Sequence, residues 1–563
     1  MLESIDYRGD TSDTAVAPGI GLGYRWWNGR PGKSPGIHRD GSDLAACAGT
    51  FAPPISSPAS ALPDLLRSGN GLDTLDGAFA GAWWDARRHR LTLIRDPFGV
   101  RSLYYVEHGG VFYFASELKQ LLAIDGLPVT LNLAALHKYL TFSFVPGEDV
   151  PVLGVRRFMP GTVSTLENGH LQSSPYFKLQ ECVDPKLEDR QTAVRFIRKR
   201  CREAVARRLN PTEEVGLYLS GGIDSSGVAF WLKRAEAKVR AFSLDFGERS
   251  VEKTQAQLVA DHLGMPLSFL KVGGEDVAKI LMEMVWKLDL PLGDAVTGPQ
   301  YLLGQAARAA GLTVVFNGEG GDQLFGGWTS KPMISAQLYA NLYGEDSREE
   351  MYLRSYHRFY GLEEQLYTPE FRREIGGAGQ RRALLQPYLE SEEASTFFNR
   401  IRLADMALKG SHNILPRMER LSNAWGLDAR APLFDRALAE ASFMLPPQMK
   451  LHNACEKYVF KLALQKRLPK EVVWRKKYGM SVPITDWVLG PLAGAMEDLL
   501  GNSAIARRGL FRSEYVHRLR HGHTEPGDVR RRRVGERLWA LAMAEAWMRV
   551  FIDGRGKRPG ALA

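Results

Sequence analysis

The sequence predicts an α/β protein with a strand-rich first part followed by a parallel-sheet part. Short strand-like runs such as 90–94 and 111–115 dominate the first part of the chain. A polar, charged stretch at about 174–190 interrupts this pattern. Beyond it, strand-like runs alternate with long helical patterns, which is typical of a parallel sheet. These later runs lie at 215–219, 240–244 and 312–316.

The length and composition are those of a large globular protein. At 563 residues the chain suggests about two to four domains, and 44% hydrophobic with 24% charged residues is ordinary. No apolar run reaches membrane-spanning length and the first residues lack a signal-peptide pattern, so the predicted location is the cytoplasm. The cysteines lack metal-ligand spacing, which favours buried thiols: Cys47, Cys182, Cys201 and Cys455.

The net charge of +9 comes largely from the last part of the chain. Arginines cluster at 507–512 and 530–533, which favours a solvated helix face, with a docking surface for an acidic or peptide partner as the alternative. No nucleic-acid module is recognisable. The segment 32–34 ends like a phosphate loop, but Trp27 stands where the first glycine should be and no strand precedes it.

The strand-like run 215–219 ends in Ser-Gly-Gly-Ile-Asp-Ser-Ser at 220–226, which leads into a helical pattern at 227–235. Glycines let the backbone approach an anion, while hydroxyls and free N–H groups at a helix start point at it. Asp224 suits such a site chiefly if it holds a Mg²⁺ that phosphates share. The loop therefore predicts a nucleotide and a metal together, against a plain Ser-Gly turn.

A second glycine-rich loop follows the run 312–316. Residues 317–328 contain five glycines, two carboxylates and a tryptophan. Open α/β sheets place ligand sites after such strands, whereas a flexible linker rarely follows a β-branched run. Asp322 thus joins Asp224 as a predicted metal pair.

These loops and several further segments resemble the asparagine synthetase family. The first loop matches its ATP-pyrophosphatase signature Ser-Gly-Gly-x-Asp-Ser, and the second matches Gly-Glu-Gly-x-Asp-Glu-x-Phe-Gly-Gly-Tyr, with Gln323 in place of the second Glu. Further matches follow in order at 95–105, 114–119, 426–435 and 475–480, where Met480 replaces a Phe. Both replacements leave the shape of the acceptor pocket open.

The resemblance implies a two-domain architecture. Residues 1–175 would form an antiparallel β-sandwich of the glutaminase (Ntn-hydrolase-like) type. Residues 190–555 would form a parallel-sheet ATP-pyrophosphatase (adenine nucleotide α hydrolase-like) domain with a helical extension. From about residue 330 onward the pattern predicts almost only helices.

The N-terminal domain departs from its family. Glutamine-using members begin Met-Cys, and that Cys is the nucleophile, whereas this chain begins Met-Leu-Glu and resembles a segment further inside the domain. The glutamine-binding Asn-Gly-Glu-Ile-Tyr-Asn is replaced at 48–53, so that Ala48 and Thr50 stand where an amide and a carboxylate would pair the substrate. We therefore expect no glutaminase activity.

The family chemistry implies a role for each matching residue. A carboxylate would attack the α-phosphate of ATP, pyrophosphate would leave, and nitrogen would capture the acyl-adenylate to give an amide and AMP. Glu319 would orient or deprotonate the nitrogen, Lys457 would reach the α-phosphate, and Arg475 and Lys477 would either bind pyrophosphate or cap a helix. Mg²⁺ would bind Asp224 and Asp322. The residues matching the ATP site are Leu219, Ser220, Gly221, Gly222, Asp224, Ser225, Leu244, Asn317 and Gly318.

Two sources of nitrogen stay open. The enzyme would use ammonia or a separate nitrogen donor, as Glu319 favours, or an amine already on the substrate, as in β-lactam synthetases and lasso peptide cyclases, which the degenerate N-terminal domain favours. A non-catalytic interaction protein is a third alternative. The expected partners are a small-molecule or peptide carboxylate, a precursor peptide or separate nitrogen donor, and a second copy in a homodimer, with no nucleic acid and no membrane.

Overall fold

The computed structural model describes residues 1–28, 36–55, 57–247, 251–327, 331–335, 348–376, 379–476, 482–523 and 532–560. Within these ranges the chain is a mixed α/β protein, with antiparallel sheets first and a parallel five-stranded sheet later. The predicted fold class is thereby confirmed.

The first part of the chain is built mainly of strands. Its strands are β1 (Thr11–Ala17), β2 (Ile20–Trp26), β3 (His38–Asp40), β4 (Asp43–Phe51), β5 (Gly77–Asp85), β6 (Arg90–Arg95), β7 (Tyr104–His108), β8 (Val111–Ala115), β9 (Arg156–Arg157), β10 (Thr162–Glu167) and β11 (His170–Pro175). Its α-helices are α1 (Pro58–Ser68), α2 (Leu118–Leu122) and α3 (Leu133–Phe142).

A six-stranded antiparallel sheet, in the order β11-β10-β6-β5-β4-β3, is the frame of this part. Because side chains alternate along a strand, β5 serves two cores. Phe79 and Trp83 pack with Leu62 of α1, whereas Ala82 and Trp84 face the β1–β2 pair and the β8-β7-β9 sheet.

The second part carries the parallel sheet, in the order β14-β13-β12-β15-β16. Its strands, with a short hairpin β17–β18, are β12 (Glu214–Tyr218), β13 (Lys238–Asp245), β14 (Leu267–Lys271), β15 (Val314–Phe316), β16 (Asp428–Arg430), β17 (Leu451–His452) and β18 (Cys455–Glu456). In register, Leu217 of β12 lies beside Phe316 of β15, so both strands end at the same edge of the sheet.

Helices surround this sheet and form most of the remaining chain. They are α4 (Arg190–Ala206), α5 (Ile223–Arg234), α6 (Val251–Leu263), α7 (Gly274–Leu288), α8 (Thr297–Ala309), α9 (Gly321–Phe325), α10 (Arg348–Ser355), α11 (Glu363–Leu366), α12 (Pro369–Ile375), α13 (Gly379–Ala383), α14 (Gln386–Leu389), α15 (Phe397–Ala404), a π-helix (Asp405–Ile414), α16 (Leu415–Asn423), α17 (Arg436–Met444), α18 (Pro447–Lys450), α19 (Tyr458–Leu464), α20 (Lys470–Val473), α21 (Ile484–Val488), α22 (Ala493–Leu500), α23 (Asn502–Arg508), α24 (Ser513–Arg520), α25 (Arg532–Met548) and a π-helix (Arg549–Asp553). The largest apolar core joins residues of both parts, among them Leu118 and Trp547.

Two local predictions need correction. The helix after the first loop begins at Ile223 and not at residue 227, because Gly222 is extended and serves as its N-cap. The strand predicted at 312–316 is Val314–Phe316. Beyond residue 330 the described elements are almost all helices, as predicted, apart from β16, which completes the parallel sheet, and the short hairpin β17–β18.

Candidate active site

A cavity of about 290 Å³ opens at the carboxyl ends of β12, β13 and β15, and is called here the sheet-edge cavity. Its position is the one that open parallel sheets generally use for ligands. Its walls bring together most of the residues that the sequence singled out. Those are Leu219, Ser220, Gly222, Asp224, Ser225, Leu244, Asn317, Gly318, Glu319, Asp322, Lys457 and Arg475.

The first loop is a tight turn held by its own hydroxyls. Ser225 Oγ accepts from the Ser220 N–H at 3.2 Å and donates to the Gly222 carbonyl at 3.2 Å. Gly222 lies at the start of α5, where unpaired N–H groups and the helix dipole favour an anion. Asp224 and Ser225 therefore lie in the first turn of the helix, facing the cavity.

The two loops approach each other so closely that only glycine fits at the contacts. A Cβ on Gly318 would lie 2.4 Å from the Ser225 nitrogen, and a Cβ on Gly321 would lie 2.0 Å from Asp224 Oδ1. Gly221 does not line the cavity, but its φ of +70° and its contact with Ala256 of α6 require glycine there too. The glycines thus set the separation of the two carboxylate-bearing loops.

Lys457 joins the two loops. Its Nζ lies 2.5 Å from Asp224 Oδ2 and 2.6 Å from Asp322 Oδ1, while its side chain is only 1% exposed. Burial alone would lower the pKa of Lys457, but the charges of Asp224 and Asp322 raise it well above the ordinary value. The lysine is accordingly a buried cation between the two predicted metal ligands.

Glu319 lies at the cavity wall in an ionic cluster. Arg417 Nη2 is 3.4 Å from Glu319 Oε1, and Arg417 Nη1 is 2.7 Å from Asp294 Oδ2. Asn413 of the π-helix donates to the same Asp294 oxygen at 2.8 Å. Because Arg417 is nearly buried and held by Asp294, it fixes the direction of the Glu319 carboxylate.

Several lining residues were not predicted from the sequence. They are Glu252, Gln300, Met418, Glu456, Lys461 and Lys476, among others. The Nζ of Lys461 lies 3.5 Å from Glu456 Oε1. A basic residue four positions after Lys457, at a spacing that can bring two side chains to one side of a helix, was the signal available.

Three positions singled out in the sequence take another role or lie outside the described residues. Gln323 does not shape the cavity, because it is buried and its Nε2 donates to Asp405 Oδ2 at 2.7 Å. A glutamate there would set two carboxylates against each other, so the replacement suits Asp405. Lys477 and Met480 lie outside the described residues, whereas Arg475 lines the cavity.

The donor atoms present fit a divalent cation shared with phosphates. Asp224 Oδ1 is buried and has no hydrogen-bond partner among the described residues. Carboxylate oxygens are the protein ligands that Mg²⁺ takes alongside substrate phosphates. The described residues contain no group of three or more His, Cys, Asp or Glu side chains that could hold a metal alone.

The charge of the walls also favours an accompanying cation. Among the described lining residues, five carboxyl groups stand beside four cationic side chains, and burial raises the pKa of one carboxyl, that of Glu252, to about 7. The walls therefore offer a triphosphate no net positive charge, and a further cation would supply it. The carboxylates are Asp224, Glu252, Glu319, Asp322 and Glu456.

A larger cavity, of about 950 Å³, lies within the antiparallel part and is called here the sandwich cavity. Ala48 and Gly49 of β4 line it, so no amide or carboxylate stands at those two positions. Thr50 lies on a different, neighbouring cavity. The inner end of the sandwich cavity is charged, but its ions pair with one another.

That buried ionic network joins the two parts of the chain. Glu419 of α16 accepts from Arg8 at 2.6 Å and from Arg101, and Arg420 lies 2.9 Å from Glu117. Burial alone would raise the pKa of Glu117, but Arg8 and Lys119 lower it below its usual range. Mutual pairing of this kind is typical of a structural interface.

The basic C-terminal region is extensively paired where it is described. Arg508 contacts Glu545 at 2.7 Å and Asp553 at 2.5 Å, and Arg512 Nε donates to the Tyr367 carbonyl. Residues 524–531, which include part of the arginine run, lie outside the described residues. No helix of the described chain has the length and apolarity needed to cross a membrane.

Comparison with known proteins shows the family to which the chain belongs. An asparagine synthase model matches residues 197–549, and a glutamine amidotransferase domain model matches residues 66–177. With the site described above, these matches define an ATP-dependent ligase that forms amides. Since the first match covers more than half of the chain, the protein belongs to the asparagine synthase family.

Individual relatives are distant. The chain is 25% identical to glutamine-hydrolyzing asparagine synthetase 1 of Bacillus subtilis over 85% of this chain and 78% of that protein. It is 26% identical to amidase chry2 of Gibberella zeae, over 77% of this chain and 74% of that protein. The match to a solved glutamine-dependent NAD⁺ synthetase of Acinetobacter baumannii, in complex with ADP, covers 53% of this chain and 67% of that chain at 15% identity. Its TM-score is 0.18, so the structural likeness is weak.

Proposed function

We propose that this chain adenylates a substrate carboxylate with ATP and Mg²⁺, and transfers the acyl group to nitrogen without a glutaminase activity of its own. The observation that carries the proposal is the convergence of Asp224, Asp322 and Lys457 in the sheet-edge cavity, with Glu319 on the same wall. The domain division at about residues 175–190 is part of this proposal.

In the first step a carboxylate oxygen would form a bond to the α-phosphorus of ATP, and the bond to the bridging oxygen of pyrophosphate would break. The helix start at Gly222 and the Ser220 hydroxyl would bind the departing phosphates. Lys457, held in place by its two carboxylates, would offer positive charge near the α-phosphate. A Mg²⁺ on Asp224 and Asp322 would neutralise charge building on pyrophosphate.

In the second step nitrogen would attack the acyl carbon and AMP would leave. The nitrogen must lose a proton, and Glu319 is the carboxylate at the cavity wall whose position Arg417 fixes. A base in that place would accept the proton as the amide forms. Ammonia and a substrate amine would both meet this requirement.

The absence of a glutaminase is supported by the sandwich cavity. Ala48 and Gly49 present no polar side chain to a glutamine, and a site without matching polar groups loses several kcal/mol of recognition, on the order of 10⁴-fold or more. The same feature supports the alternative, in which the nitrogen is an amine of the substrate itself, as in macrolactam-forming enzymes.

The test is product analysis with the purified chain. We expect AMP and pyrophosphate when ATP, Mg²⁺ and a carboxylate are supplied, with aspartate first and then a panel of amino acids and short peptides. Parallel reactions contain ammonium chloride, glutamine or no added nitrogen, and glutamate is measured in each. Release of ADP and phosphate would refute the adenylation chemistry, and glutamate formation above background would refute the loss of glutaminase activity.

A further inference from the structure

Lys457 holds two like charges together. Its Nζ is in contact with an oxygen of both Asp224 and Asp322, at 2.5 Å and 2.6 Å. Two carboxylates this close repel each other unless a cation lies between them. The lysine side chain is 1% exposed, whereas Asp224 is 20% and Asp322 is 30% exposed. The ammonium thus lies between the two carboxylates in the cavity wall, and the carboxylates are the more exposed groups.

The position of this ammonium is built into the backbone. Lys457 has a φ of +56°, a left-handed conformation that is uncommon for a lysine, and its N–H donates to the Phe325 carbonyl at 3.2 Å. It directly follows the hairpin β17–β18, whose turn residues Asn453 and Ala454 also have positive φ. Backbone strain of this kind persists where the surroundings enforce it, often at functional sites.

The charge of the lysine has a consequence for metal binding. With Lys457 in place, the two carboxylates and the ammonium together carry a net charge of about −1, whereas the two carboxylates alone would carry about −2. A divalent cation approaching Asp224 Oδ1, which has no partner among the described residues, would feel the repulsion of the ammonium that contacts both carboxylates. A triphosphate adds negative charge and further oxygen ligands, and so offsets that repulsion.

We propose that Lys457 makes divalent-cation binding at Asp224 and Asp322 depend on the nucleotide. The ammonium keeps the affinity for a free cation low and, at the same time, keeps the two carboxylates in place to receive a cation that arrives with a triphosphate. This inference rests on the proposed function, in which the same two carboxylates bind Mg²⁺ together with ATP.

The experiment measures Mn²⁺ binding without nucleotide, by the electron paramagnetic resonance signal of free Mn²⁺. Lys457→Met removes the charge and keeps the length of the side chain, so we expect Mn²⁺ affinity to rise roughly tenfold or more. Lys457→Arg should keep the low affinity of the wild type. Thermal unfolding gives a second readout, because Mn²⁺ should stabilise the Lys457→Met protein far more than the wild type.

The matched control is Lys461→Met. Lys461 lines the same cavity, but its contacts are with Glu456 at 3.5 Å and Cys455 at 3.7 Å. We expect its removal to change nucleotide-free Mn²⁺ affinity much less. Lys457→Met with Asp322→Asn restores the original charge of the site, so its affinity should return to the wild-type level.

An unchanged or weaker Mn²⁺ affinity in Lys457→Met overturns the inference, as does an equal gain in Lys461→Met. If Lys457→Met does not fold, Lys457→Gln, which keeps a hydrogen-bond donor, is measured against the same criteria. The binding assay contains no substrate. Failure here, with AMP and pyrophosphate still formed by the wild type, leaves the proposed function intact, whereas absence of those products refutes the proposed function instead.

Discussion

The sandwich cavity and the sheet-edge cavity differ in size and in what their walls present. The sandwich cavity is about 950 Å³, and the charged groups at its inner end, such as Arg8 and Glu419, are ion-paired with one another. The sheet-edge cavity is about 290 Å³, but Asp224, Asp322 and Lys457 converge there from three separate chain segments.

The difference shows that cavity volume is a poor guide to chemistry in this chain. Catalysis requires charged groups held where charge develops, and holding them requires close packing. Gly318 and Gly321 provide that packing where the two loops of the sheet-edge cavity meet. The proposed function locates the reaction in the smaller site, and the following measurements can break or sharpen this comparison.

The largest effect is expected from neutralising the carboxylate pair. Asp224→Asn or Asp322→Asn removes the charge that Lys457 and a cation share, so AMP formation should fall by about a hundredfold to a thousandfold or more. Glu107→Gln removes a carboxylate from the wall of the sandwich cavity and serves as the control. The comparison fails if Glu107→Gln lowers AMP formation as much as the two aspartate variants do.

The next effect separates the two chemical steps at Glu319. Glu319→Gln keeps size and hydrogen bonding but removes the base, so amide formation should fall by roughly a hundredfold to ten-thousandfold. Exchange of labelled pyrophosphate into ATP reports adenylation alone and should fall much less. Equal losses in both assays would place Glu319 in adenylation or in the structure of the loop.

A pair of glycine substitutions tests the packing argument. Gly318→Ala places a Cβ 2.4 Å from the Ser225 nitrogen and should cost about 1–3 kcal/mol of stability, with weaker ATP binding. Gly21→Ala in β2 meets open space and has an ordinary φ, so it should be neutral or slightly stabilising. Urea unfolding and ATP titration measure both; similar behaviour of the two variants would contradict the need for glycine at the contact between the two loops.

Much of the fold was predictable because its signals are local. The runs at 215–219 and 240–244 alternate with helical patterns, and the strands Glu214–Tyr218 and Lys238–Asp245 follow them closely. The strand Asp428–Arg430 was not predicted, since three residues carry no periodicity and its pairing with β15 is set by tertiary contacts.

The site was predictable where a motif carried it and unpredictable where side chains converge from distant segments. The pattern of a strand followed by a glycine-rich loop, together with the family resemblance, predicted Asp224, Glu319 and Asp322 as site residues. The contact of Arg417 with Glu319, across 98 residues, and the presence of Glu252 in the wall leave no trace in local spacing. Gln323 shows the converse, because a motif position turned out to serve the buried contact with Asp405.

The smallest expected effect is the way stability changes with pH through two carboxylates near the sheet edge. Burial raises the pKa of Glu252 to about 7, with Arg475 opposing, whereas a hydrogen bond from Lys253 lowers the pKa of Asp245. The two groups should therefore change stability with pH in opposite directions.

For Glu252 the folded state holds its proton up to about pH 7, while the unfolded state releases it near pH 4.5. Below pH 4.5 the carboxyl is protonated in both states, so Glu252 does not lower the free energy of unfolding. That free energy falls as the pH rises from 4.5 to 7, and it stays at the lower value above pH 7. Glu252→Gln removes the penalty and should stabilise the protein by about 1–3 kcal/mol at pH 8, less at pH 5.5 and not at all near pH 4.5. Asp245→Asn should instead destabilise at pH 8, because the carboxylate that accepts from Lys253 is lost, and this deficit should shrink as the pH falls toward acid. Urea unfolding at these pH values measures both variants, and a pH-independent effect of Glu252→Gln would show that its carboxyl titrates normally in this wall.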